Sequence, residues 1–245
     1  MVMLKQYGLD VNGHFWIDDV GHMAWNEPSD ELLKDETALW IIMGSPENFK
    51  TLSVNYGLSL LAVRIFAGKG QGFPIVVILT ANEKDECILP TLLRGAEIYS
   101  LLNPSLAAKV VSAANMPAKN IEKDYYLDVH AFAGIGIWFE IGPSQGHEWN
   151  GAVFGVHNGD VNFHGTGARG KLPERSVLEY PARGLKIRFD EKEFISWGVR
   201  NHLDAGSSYY VRVDGTPDDM LFGPYPDDGS AEAYIITFNG SAVVP

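Results

Sequence analysis

Four of the seven histidines fall within a single stretch, at His130, His147, His157 and His164. Imidazole beside carboxylate is the donor set of zinc and iron sites, and it also moves protons. Spacing makes part of this density specific. Asn158-Gly159 is a two-residue turn dipeptide between strand-like flanks. A hairpin there sets His157 opposite Asp160, Gly155 opposite Asn162 and Val153 opposite His164. Alternation then puts Phe154, Val156, Val161 and Phe163 on a core face, and His157, Asp160, Asn162 and His164 on the other. The expectation is a divalent-metal site at His157, Asp160 and His164, acid–base chemistry by His130, His157 and His164, or a face that simply meets solvent, as one face of an antiparallel hairpin often does. On such a hairpin His157 and His164 start roughly 10 Å apart, so a further ligand from His130 or Asp128 is required. Those two residues lie two apart, on one face of a strand.

Gly165-Thr166-Gly167-Ala168-Arg169-Gly170-Lys171 follows His164 directly and matches GxGxxG. Backbone N–H groups at Gly165 and Gly167, helped by Arg169 and Lys171, read as an anion-binding loop for phosphate or carboxylate beside His164. Leu172-Pro173-Glu174 carries no helical periodicity, so the dinucleotide fingerprint is incomplete and a surface loop competes with this reading. Cys87 is the single cysteine, and Glu83, Asp85 and Glu86 oppose a thiolate there. It reads as a small core residue and excludes an internal disulfide. His14, Asp18, Asp19 and His22 form a second imidazole–carboxylate group, read as loop surface. Asp214–Asp219 and Pro226–Gly229 lack the alternating oxygens of a calcium loop and read as turns. There is no GxSxG, HExxH or CxxC.

The elements that must position these groups change character along the chain. Asn12-Gly13 predicts a hairpin, and Ser29 caps a helix running to Trp40. Ser45-Pro46 starts a helix apolar nearly all round, hence buried. Gly68, Gly70 and Gly72 end it before FPIVVILTA, a central strand. Asn82 caps a helix to about Leu102, and Pro104 begins an Ala-rich one. After residue 120 short apolar or alternating runs between glycine-bearing turns predict strands, with one helix from about Glu191 to Leu203 capped by Asp190. The fold class expected is α+β in a single domain 1–245, with helix-rich 1–120 before a largely antiparallel, β-rich 121–245.

The formal charge is -12, and 46% of residues are apolar, a globular composition. Acid dominates everywhere except residues 165–200, where five acids meet eight bases. Arg169, Lys171, Arg175, Arg183, Lys186 and Arg188 are too few against that background for nucleic acid. No 18-residue apolar run or secretory h-region appears, so no membrane span and a cytoplasmic location are expected. Two functions fit. The first is an acidic protein of inhibitor, immunity or adaptor type that binds a basic protein partner. The second is a metal-dependent or His-assisted hydrolase on the His157/Asp160/His164 face.

Overall fold

Apolar periodicity and strand alternation sort the chain into two compact units, residues 1–121 with 239–245 and residues 122–238. The computed structural model describes residues 2–80, 89–226 and 232–239. The fold is α+β with mostly antiparallel sheets and a β-rich C-terminal half.

The first unit contains α1 (Val2–Gln6), α2 (Ser29–Leu32), β1 (Trp40–Gly44), α3 (Leu52–Lys69), β2 (Ile75–Leu79), β3 (Glu97–Ser100) and α4 (Leu106–Asn115). Strands β1, β2 and β3 form a parallel sheet with β2 in the centre, as the continuous apolar run requires. Val76 and Ile78 pack against Leu106, Val110 and Ala113 of α4. Helix α3 buries eleven residues on all its faces, from Asn55 to Phe66. Gly57 lets the Trp16 ring lie on the helix, since a Cβ there would stand 2.8 Å from Trp16 Cζ2.

Several expected elements here take another form. The helix from Ser29 stops at Leu32, because Trp40 is drawn into β1 beside Ile75. Ser45-Pro46 leads into a 3₁₀ turn, Asn48–Lys50, before α3 begins at Leu52. Residues 9–19 contain no strand, so Asn12-Gly13 makes no hairpin. The N-terminal part of the helix expected after Asn82 lies outside the described residues, as does Cys87. From Leu89 onward that stretch forms a 3₁₀ turn and β3, where pairing with β2 overrides helical propensity.

The second unit holds β4 (Tyr125–Phe132), β5 (Gly136–Pro143), β6 (Trp149–His157), β7 (Asp160–Ala168), β8 (Ala182–Phe189), β9 (Lys192–Leu203), β10 (Ser207–Asp214), β11 (Asp219–Pro224) and β12 (Tyr234–Thr237). They make two sheets, ordered β4-β5-β10-β7 and β12-β11-β6-β9-β8. The inner faces interlock through Phe139 stacked on Phe154 at 5.4 Å and through Phe238. Tyr209, Val211, Val199 and Phe222 share that dry interior. This is a β-sandwich in which β7 and β8 are edge strands.

Two expectations are corrected here. Residues 192–203 form strand β9, because Ile195, Trp197 and Val199 face β6 partners while Asp190, at φ 51, makes a tight β8–β9 turn. The chain does bend at Asn158-Gly159, with Asn158 at φ 56, but β6 and β7 part there and join different sheets. His157 therefore pairs with Asp219, and His164 with Val211.

Candidate functional site

Separation of β6 from β7 removes the shared polar face predicted for His157, Asp160 and His164. The His157 Nδ1 donates to the Glu193 carbonyl at 2.9 Å. Asp160 is exposed, opposite Asp214. A β-bulge moves His164. Val161 and Phe163 pair with the consecutive residues Val213 and Arg212, so Asn162 is the extra residue. Alternation flips beyond it: Val161 is buried, Phe163 is 54% exposed and His164 only 3% exposed.

The glycine motif is likewise placed otherwise than its pattern suggested. Gly165 and Gly167 lie within β7. The space that side chains would occupy there is filled by Pro173, whose Cβ would meet a Cβ on Gly167 at 2.8 Å. Arg169 turns away to donate to the Pro143 carbonyl at 2.5 Å and stacks on the Tyr126 ring. Lys171 donates its backbone N–H to the Tyr210 hydroxyl, and its side chain is exposed. These four residues form no common anion cradle.

Two other constellations are built instead. On the outer face of the first sheet, Asp128 and Glu140 are direct partners across β4 and β5. Both are buried, at 2% and 0% exposure. His130 lies on the same face, two residues on, with its Nε2 2.6 Å from Glu140 Oε2 and 3.9 Å from Asp128 Oδ2. Among the described residues this is the set of three metal-ligating groups whose donor atoms all lie within 4.8 Å of one another. Gly170 N–H donates to the other Glu140 oxygen at 2.8 Å, and Val129 N–H to Asp128 Oδ1 at 2.7 Å. Burial works to raise the Glu140 pKa, but the His130 and Gly170 hydrogen bonds and the His130 charge outweigh it and leave it below the usual range. Burial and neighbouring carboxylates push the Tyr126 and Tyr210 hydroxyls upward, so both stay protonated.

The second constellation occupies the sandwich edge bounded by β7 and β8. His164 Nε2 accepts from Arg183 Nε at 3.2 Å, so its proton sits on Nδ1, 2.8 Å from the Tyr209 hydroxyl. Burial, with the Arg183 charge adding to it, lowers the His164 pKa to about 4 and keeps the ring neutral. Arg183 owes its place to another bulge. Ala182 pairs with Gly198 and Leu185 with Ser196, so Arg183 and Gly184 together face Trp197. The guanidinium lies 5.0 Å from the Trp197 ring centre. A cleft of about 330 Å³ adjoins this chain of contacts.

No known protein family, curated protein or solved structure matches the chain.

Sequence reasoning found Asp128 and His130 on one face but missed Glu140. Its signal was a lone acid in the middle of the apolar IGIWFEIG run, where a charge must be paired to be buried. Arg183 and Trp197 gave no such signal, because bulges place them.

Proposed function

We propose that this chain is a divalent-metal-binding protein whose ion sits between Asp128, His130 and Glu140. The single observation that carries the reading is the convergence of three donor atoms of mixed N and O type from two buried carboxylates and an imidazole. Charge favours it. Two buried carboxylates bring a formal charge of minus two, and a neutral imidazole ligand leaves a divalent ion to cancel it. Buried carboxylates favour a positively charged partner, and a divalent ion is one. The His130 Nε2 proton now bridging to Glu140 is what the ion would replace.

Distances are compatible. Ligands at about 2.0–2.2 Å from an ion lie roughly 3–3.5 Å apart. The two His130 separations, 2.6 Å and 3.9 Å, bracket that range, and all three donor atoms lie within 4.8 Å of one another. One nitrogen with two carboxylates suits Zn²⁺, Mn²⁺ or Fe²⁺. Gly170 N–H and the Tyr126 hydroxyl hold the carboxylates in place, as outer partners of ligands commonly do.

The test is elemental analysis of protein purified without chelator or a histidine tag, with thermal melts with and without EDTA. Near-stoichiometric metal and an EDTA-lowered Tm are expected. Metal-free protein whose Tm ignores both EDTA and added Zn²⁺, Mn²⁺ or Fe²⁺ would overturn the reading.

A further inference from the structure

We infer that the cleft at the β7–β8 edge binds a small aromatic anion, its charged group on Arg183 and its ring among Trp138, Phe163 and Trp197. This goes beyond the metal reading and shares no residue with it. The volume, about 330 Å³, lies at the small end of ligand sites and fits one ring bearing a carboxylate or phosphate.

The cleft is cationic inside a protein of formal charge -12. Three other bases of the 165–200 stretch are engaged: Lys186 pairs with Glu193, Lys192 with Asp219, and Arg169 with the Pro143 carbonyl. Arg183 and Arg175, which line the cleft, pair with no carboxylate among the described residues. Glu174 is the one acid on the lining.

Arg183 is also held in place rather than merely exposed. Its Nε is spent on His164, and its guanidinium lies over the Trp197 ring. The terminal NH₂ groups hydrogen-bond to no described residue, which leaves the fork that carboxylates and phosphates bind in two-point fashion. His164 is the positioning residue. It is itself fixed by Tyr209, which is fully buried, and by edge-to-face contact with Trp197 at 4.8 Å. A neutral imidazole can accept from Arg183; an imidazolium cannot. The aromatic wall is completed by Trp138 and Phe163, in edge contact at 5.5 Å. Phe163 is presented to the cleft by the Asn162 bulge, one of the sheet devices that re-aim side chains.

The experiment is calorimetric titration of the full chain with benzoate, phenyl phosphate, benzyl alcohol and benzylamine, with tryptophan fluorescence as a second readout. Saturable binding of benzoate or phenyl phosphate is expected, at least tenfold tighter than benzyl alcohol, with benzylamine silent. The tighter of the two anions identifies the charged group. Arg183→Gln should weaken the anion at least tenfold, while Arg188→Gln, outside the lining, should not. His164→Gln keeps an acceptor for Arg183 and should retain binding; His164→Leu, shown folded by its melt, should lose it. Equal binding of alcohol and anion, an unchanged Arg183→Gln, or no saturable binding of either anion would overturn the inference.

Discussion

The two histidines in the sandwich, His130 and His164, sit in opposite electrostatic surroundings. His130 lies against two buried carboxylates on the outer face of one sheet. His164 lies against a guanidinium at the sandwich edge and is held neutral. The first environment is closed and negative, and its chemistry is that of a cation. The second is open, aromatic and positive, and its chemistry is that of an anion. The same side chain is thus a proposed metal ligand in one place and a hydrogen-bond acceptor in the other. Strand partners decide which: Glu140 stands across a regular ladder from Asp128, whereas Arg183 is delivered by a bulge.

That contrast can be broken from either side. The largest effect belongs to Glu140. Glu140→Ala leaves His130 without its 2.6 Å partner and Asp128 without its counter-ligand. A stability loss of about 3–5 kcal/mol is expected in denaturant titration, together with loss of bound metal by elemental analysis.

The pH dependence of His164 comes next. Its folded pKa, about 4, lies below the ordinary 6.5, so the unfolded chain takes up the proton first. The stability this neutral ring supports is present above pH 6.5 and is lost as pH falls towards 4. About 2 kcal/mol is expected over that window. The matched comparison is His164→Gln, whose melts should show a shallower acid slope; an identical slope would remove His164 as its source. Arg183→Gln follows, with its tenfold loss of anion affinity equal to about 1.4 kcal/mol.

The smallest effect sharpens the comparison by touching both places at once. Residues 170–173 run from the Gly170 N–H on Glu140 to Pro173 on Gly167. Gly167→Ala pushes on the Pro173 ring and should cost about 1 kcal/mol. Its signature is a shift at both sites, visible as weaker anion binding and weaker metal retention together.

The strands were legible because their apolar runs are short and bounded by turns. The buried helix α3 was legible because apolar residues cover all its faces. Pairing was not, since a turn such as Asn158-Gly159 reads the same whether its strands pair or diverge into facing sheets. Residues 192–203 misread as a helix for a related reason: Phe194, Ile195, Trp197 and Val199 fit a helical stripe as well as a strand buried on both faces. At the metal-ligand cluster, Asp128 and His130 followed from alternation, while Glu140 needed the β4–β5 register. Nothing local marks Arg183 as the partner of His164, because single-residue bulges set both positions.

The most direct test of the metal centre is Co²⁺ titration of the chelator-treated protein, followed by visible absorption. Wild type should develop ligand-field bands that saturate near one equivalent, and Asp128→Asn with Glu140→Gln should abolish them while the protein stays folded. Bands that never appear, or that persist unchanged in the double variant, would contradict an ion held by Asp128, His130 and Glu140.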